Sequence, residues 1–324
     1  MRRRDFIALL AGAALPTPPA ARAQEAGRTY RLGSLHQVLR STPHHVAFLE
    51  ELARLGFAEG KNLLVDGNGY GLRAEQFVEH ASELVRAQVD VMLCAGDAAV
   101  RAAQQATKTI AILAVVDDMV GSGFVSSLAK PDGNVTGVSI LASELDGKRQ
   151  EILMEAVPEA RRMAALADGN VTTPQRMQVL HDAAQARGVE LLTYRVTTPE
   201  EIAGAIDAAK RSGAAALNVL ATPLLNVNRK IIMARVAALR LPAIYQWPEV
   251  GEEGGLIGYG PRIVQIYREI LPRQLVKLLR GTKPADVPVE QPTRFELVIN
   301  LKAAQAIRHD IPAGLVLRAD NVIE

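Results

Sequence analysis

Cysteine is almost absent from this 324-residue chain, which has a single one, Cys94. No disulfide can form within it, so stability has to come from packed cores. Cys94 closes the apolar run Val89–Cys94, where a small buried hydrophobe is expected rather than a reactive thiol. Catalytic signatures are also missing. There is no Gly-x-Ser-x-Gly elbow and no Walker loop, and Gly67-Asn68-Gly69-Tyr70-Gly71 lacks dinucleotide-fingerprint spacing and reads as a turn. His36, His44 and His45 have no second cluster of metal-ligating residues at ligand spacing. His44 and His45 are adjacent, so they are expected on different faces of a helix, at the surface or a cleft edge. Lys148-Arg149 and Arg161-Arg162 read as solvated faces. No catalytic residue, metal or cofactor is assigned.

Excess charge of one sign is lacking too. The formal charge is +2, and the first 23 residues supply that excess. Without them Lys+Arg falls from 37 to 33 and Asp+Glu from 35 to 34, leaving −1. No global electrostatic case for binding nucleic acid remains. There is no N-terminal helix-turn-helix, which argues against a sugar-repressor-like regulator.

What is present begins with an export-type start. Arg2-Arg3-Arg4 precedes the apolar run Phe6–Leu15, and a Pro/Ala stretch ends in Ala21-Arg22-Ala23. A basic start, a short apolar middle and a small-x-small end predict a signal peptide over residues 1–23. The apolar part falls short of the ~20 residues that a bilayer span needs. Arg3-Arg4-Asp5-Phe6-Ile7 looks like a twin-arginine signal. No Cys stands at the cleavage site to take a lipid, so a periplasmic protein without an anchor is expected.

From Tyr30 onward, apolar strand-like runs alternate with amphipathic helical patterns, twice over. The first unit carries strands at Tyr30–Leu35, Leu63–Asp66, Val89–Cys94 and Ile110–Val116. The second carries Met163–Ala167, Val189–Tyr194, Ala214–Leu220 and Ala243–Gln246. This alternation predicts an α/β protein with two Rossmann-like lobes, each a parallel sheet covered on both faces. The Gly-rich passage Pro131–Val138 reads as the link between them, and Ile263–Arg280 as a long helix. Thr198 is expected to cap the helix that starts at Pro199. Ligands of open parallel sheets bind beyond the carboxyl ends of the strands.

Three motifs then point to a family. Gly123–Ser139 resembles the signature segment of ABC transporter substrate-binding proteins of the tryptophan- and tyrosine-binding type. Ile257-Gly258-Tyr259-Gly260-Pro261 resembles their return strand between lobes, and Leu297–Ala304 with Ile311-Pro312 and Leu317–Glu324 their C-terminal pattern. The signal is similar to those of proteobacterial members. The resemblance implies a type I periplasmic-binding fold with a hinge of several crossings. Lobe 1 would comprise 27–137 plus about 260–283, and lobe 2 138–259 plus about 284–324. It implies a small-molecule ligand, and a permease and an ATPase encoded elsewhere as partners.

On this reading the ligand contacts of lobe 1 are His36 and Gln37, then Asp97 and Ala98 after Gly96, then Asp117 and Asp118. Those of lobe 2 are Asn170 and Thr172, Thr222 after Ala221, and Tyr245 and Trp247, with Tyr259 on the crossover. Packing remains open for Trp247, and helix capping for Asp117 or Asp118. One departure stands out. Amino-acid binders of the family often carry Asp-Asn after the third strand of lobe 2, where this chain reads Leu220-Ala221-Thr222-Pro223. The loss argues against an α-amino acid, whose ammonium and carboxylate need dedicated partners. Tyr245 and Trp247 still offer stacking surfaces, so an aromatic or partly apolar ligand is expected. A module docking on a membrane sensor and an exported enzyme are the alternatives.

Overall fold

The computed structural model describes residues 27–324; the expected signal lies outside them. The first lobe runs β1 (Tyr30–Leu35), α1 (Pro43–Arg54), β2 (Leu63–Val65), α2 (Phe77–Arg86), β3 (Val91–Ala95), α3 (Asp97–Ala106), β4 (Ala111–Val116) and β5 (Val135–Ser139). Its sheet has the order β2-β1-β3-β4-β5, parallel throughout. The chain then builds α4 (Asp146–Ala156), β6 (Arg162–Asp168), α5 (Pro174–Gln185), β7 (Glu190–Val196), α6 (Pro199–Arg211), β8 (Leu217–Val219), α7 (Pro223–Val227), α8 (Arg229–Ala238), β9 (Ala243–Tyr245), α9 (Pro248–Glu252) and β10 (Ile257–Gly260). Two helices, α10 (Ile263–Gln265) and α11 (Leu271–Leu279), return to the first lobe, where both pack against α1. The chain closes with β11 (Glu296–Asn300), α12 (Leu301–Ile307), α13 (Ala313–Val316) and β12 (Asn321–Ile323). The second sheet has the order β12-β11-β10-β9-β8-β6-β7, and only the β10–β11 pair is antiparallel.

Side chains alternate between the two faces of each strand, so both faces are buried and the strands read as continuous apolar runs. On β3, Val91 and Leu93 enter one core while Met92 and Cys94 enter the other. On β6, Ala164 and Leu166 take one face, and Met163, Ala165 and Ala167 the opposite one. One core is shared: it runs from Phe48 and Leu93 of the first lobe through Tyr267 to Trp247, Leu225 and Leu166 of the second.

Three expectations need correction. β5 was read only as a Gly-rich link, and the lobe boundary at 137/138 falls inside it. Gly137 makes the strand possible, since a Cβ there would stand 1.9 Å from the Ala114 carbonyl oxygen of β4. Residues 284–290 stay with the first lobe instead of opening the second. Glu290 N–H donates to Gly137 O at 3.0 Å, Ser139 N–H donates to Glu290 O at 3.0 Å, and Val289 N–H donates to Leu128 O at 2.8 Å. The crossing therefore falls between Glu290 and Glu296. Thr198 precedes Pro199 in extended conformation, but its hydroxyl makes no capping bond; Glu201 instead accepts from Thr197 N–H at 2.6 Å.

The long helix expected from Ile263 is interrupted by a wide π-type turn over Ile266–Ile270. Pro272 follows, and its missing N–H and its ring are incompatible with a regular helix through this point.

Candidate ligand-binding site

The loop after β3 approaches the loop after β8 where the lobes join, and one apolar core runs through the junction. At the end of β1, His36 is wholly buried. Its N–H donates to Gly69 O at 2.8 Å and its carbonyl accepts from Leu72 N–H at 3.0 Å. Gly69 permits this approach, because a Cβ there would lie 1.9 Å from Ser34 O. The turn thereby lays Tyr70 over His36, ring centroids 5.4 Å apart and 10° from parallel. From α1, His45 Nε2 meets His36 Nδ1 at 3.2 Å, while its Nδ1 lies 2.9 Å from Thr42 Oγ1 and 3.3 Å from Leu39 O.

His44 and His45 do not diverge as expected. Their rings stand 4.5 Å apart, and both meet Tyr267 edge-on, at 4.7 and 5.2 Å. They sit in the first turn of α1, against the wide turn that carries Tyr267, and this shared neighbour draws them together. Burial holds all three imidazoles below their ordinary range: His44 falls to about 3 and His45 to about 4, with His36 also well lowered. His45 and, across the junction, Arg229 add to the effect on His44. Among the described residues, no group of three or more His, Cys, Asp or Glu could hold a metal ion.

The second lobe answers with ions. Arg149, expected on a solvated face, is fully buried. Its guanidinium donates to Asp146 Oδ1 at 2.5 Å, to Tyr259 O at 3.1 Å and to Ala142 O. Asp146 also accepts from Arg176 Nε at 2.7 Å and from Ala221 N–H at 3.3 Å. Arg176 donates to Ala221 O at 3.1 Å. One buried carboxylate thus ties two arginines to the loop after β8.

The residues expected to contact ligand fall into two groups. Four keep a buried polar atom without a partner: His36 Nε2, Thr172 Oγ1, Tyr245 Oη and Trp247 Nε1. Several others are engaged within the protein. Asp97 accepts from Ser122 Oγ at 2.6 Å, and Asp117 from Ser143 N–H at 3.0 Å. Asp118 closes a turn by accepting from Val120 and Gly121 N–H. Asn170 donates to Thr197 O at 3.1 Å. Thr222 caps α7 by accepting from Leu225 N–H at 3.4 Å. Gln37 is half-buried and Ala98 exposed. Tyr259 packs on the core of the sheet face away from Tyr245. Sequence reasoning missed Tyr70, Tyr267, Asp146, Arg149 and Arg176.

The lobes nearly touch. A Cβ on Gly96, before α3, would meet Pro223 Cγ at 3.9 Å. A void of about 10 Å³ remains beside Tyr245, Gln246 and Arg229, room for no more than one water. A larger concavity, about 610 Å³, lies at the opposite end of the second sheet, lined by Arg161, Lys210, Arg240 and Arg308 among others. The carboxyl ends of α4, α6, α8 and α12 converge there, so these cations offset helix dipoles.

Among the described residues, no helix is long and apolar enough to cross a membrane. A tyrosine-binding protein of Clostridioides difficile (strain R20291) is 28% identical over 284 residues, covering 85% of this chain and 78% of that one. Of the solved structures, an ABC domain from Streptococcus pneumonia in complex with L-Trp superposes with a TM-score of 0.78 at 22% identity, covering 91% of this chain and 100% of that one. A ligand-free, open substrate-binding protein with adhesive properties from Clostridium difficile gives 0.63 at 21% identity, covering 91% and 99%. The model of the ABC transporter substrate binding proteins matches residues 44–323, and the chain belongs to that family.

Proposed function

We propose that this chain captures a small, partly aromatic organic molecule between its lobes in the periplasm and presents it to the permease and ATPase of an ABC importer. The observation that carries the reading is that four of the expected contacts, one from the first lobe and three from the second, keep a buried polar atom without a partner at or soon after a strand end. Buried polar groups are mostly hydrogen-bonded, and these four, half of the eight unpartnered side-chain atoms among the described residues, offer partners to a polar ligand. Tyr70, Tyr267, Tyr245 and Trp247 give the same region aromatic walls. The closer superposition on the L-Trp complex than on the open, ligand-free protein fits a closed arrangement. Residues 1–23 act as the export signal and are removed. The lobes are joined by three crossings, after Ser139, after Gly260 and after Glu290, and these absorb opening and closing.

A thermal-shift screen of the chain from Gln24 onward, against aromatic amino acids, aromatic acids, purines, sugars and inorganic anions, tests the reading. A binder at a hundredfold excess over Kd adds about 2.7 kcal/mol of stability. A shift with an aromatic class is expected. Shifts with sugars or inorganic anions alone overturn the ligand assignment.

A further inference from the structure

We infer that His36 is a specificity-determining hydrogen-bond acceptor, and that the ligand lies with a donor group against lobe 1 and an acceptor group against lobe 2. This rests on the site proposed above. Leu39 O can only accept, and Thr42 Oγ1 donates to it at 2.9 Å. His45 Nδ1 lies 3.3 Å from that carbonyl and 2.9 Å from the same hydroxyl, which also meets His44 Nε2 at 3.3 Å and can serve in either sense. The carbonyl cannot, so Leu39 O places the proton on His45 Nδ1. A neutral imidazole has one N–H, so His45 Nε2 is a lone pair. It faces His36 Nδ1 at 3.2 Å, and His36 Nδ1 must donate. The proton of His36 is thus fixed on Nδ1, and Nε2 is left as a bare, fully buried acceptor with no partner.

Burial keeps these rings neutral, as the chain of bonds requires. On the second lobe, Trp247 Nε1 is equally unpartnered, and an indole N–H can only donate. Each lobe therefore contributes one polar atom of unambiguous sense, and the two senses are opposite. A ligand spanning them needs an N–H or O–H toward His36 and a carbonyl or carboxylate oxygen toward Trp247. A carboxylate turned toward His36 would set lone pair against lone pair.

Two measurements on the chain from Gln24 onward decide this. Two-bond 1H–15N spectra of the labelled imidazoles at pH 7, without ligand, read the tautomers directly and need no variant. The expected result is a pyrrole-type Nδ1 and a pyridine-type Nε2 on both His36 and His45; a protonated Nε2 on His36 overturns the inference whatever the ligand. Binding of tryptophan and tyrosine is then compared with 1-methyltryptophan, O-methyltyrosine and the Nα-trimethylated forms. His36→Phe is expected to weaken the donor-bearing ligand about tenfold or more, with His36→Gln restoring part of the loss. One donor-blocked analogue should bind wild type and His36→Phe alike. Equal affinity of wild type and His36→Phe for every compound overturns the inference. If no aromatic compound binds wild type, the proposed ligand class fails, and the ring-nitrogen spectra alone decide the role of His36.

Discussion

The two lobes share an architecture but handle buried polarity at their strand ends in opposite ways. The first lobe buries His36, His44 and His45 as neutral rings against Tyr70 and Tyr267. The second buries full charges and pairs them, Asp146 between Arg149 and Arg176. A desolvated ionisable group has these two routes: lose its charge or find a partner. The neutral route leaves one ring nitrogen, His36 Nε2, without a partner. The paired route consumes the charges and fixes a scaffold, here the loop at Ala221. Rigidity falls to the ion network of lobe 2, while the recognition proposed above draws on both lobes, on His36 of the first and Trp247 of the second.

The most damaging way to break the comparison is to remove the shared carboxylate. Asp146→Ala leaves Arg149 fully buried and unpaired, and breaking a buried pair from one side costs about 3–5 kcal/mol. Urea unfolding followed by circular dichroism measures it. The double variant Asp146→Leu with Arg149→Met is expected to recover part of the loss, because the fully buried charge is then gone, while Arg176 loses its carboxylate but keeps its bond to Ala221 O and some access to water. A single variant costing under about 1 kcal/mol removes the scaffold role.

Little of this division was legible in the sequence, although the fold itself was. Tyr30–Leu35 shows its apolar run and emerges with the same bounds, and Pro199 marks its helix start because proline at a first turn is a local signal. β5 was hidden, because Val135-Thr136-Gly137-Val138-Ser139 looks like a linker and is held as a strand by β4 and by chain 151 residues away, Thr136 Oγ1 donating to Val287 O at 2.5 Å. Arg149 follows Lys148 and resembles a solvated pair; only the distant Arg176 and Tyr259 reveal the buried network. The histidines were close in sequence, but Tyr70 and Tyr267 arrive by tertiary packing. Among the contacts expected from the resemblance, His36, Thr172, Tyr245 and Trp247 keep an unpartnered buried atom, and which of the other polar side chains were already engaged required the fold.

Acid sharpens the contrast next. Above about pH 6.5 the imidazoles are neutral in both folded and unfolded chains. As pH falls, the unfolded chain takes up protons first, because burial holds His45 to about 4 and His44 to about 3. Stability is therefore lost from about pH 6.5 downward through this window, by about 2 kcal/mol per such imidazole between pH 7 and pH 5. His44→Gln is expected to lose less than wild type over the same interval in urea titrations at the two pH values. Equal losses would mean that other groups carry the acid sensitivity.

The finest test uses one dipeptide found in both lobes. Thr-Pro opens α1 at Thr42 and, in the second lobe, α5 at Thr173, α6 at Thr198 and α7 at Thr222. Thr173 Oγ1 accepts from Arg176 N–H at 3.2 Å, an ordinary cap, so Thr173→Ala should cost about 1 kcal/mol. Thr198 makes no such bond, and Thr198→Ala should change stability by no more than about 0.5 kcal/mol. In the first lobe the same hydroxyl serves the imidazoles instead: Thr42 Oγ1 lies 2.9 Å from Leu39 O, 2.9 Å from His45 Nδ1 and 3.3 Å from His44 Nε2. Thr42→Ala should therefore be read in the ring-nitrogen spectrum of His45, whose Nδ1 loses its hydroxyl neighbour and keeps only Leu39 O. If those signals stay in place while stability falls as for Thr173→Ala, Thr42 is only a helix start. The two lobes would then differ less than their side chains suggest.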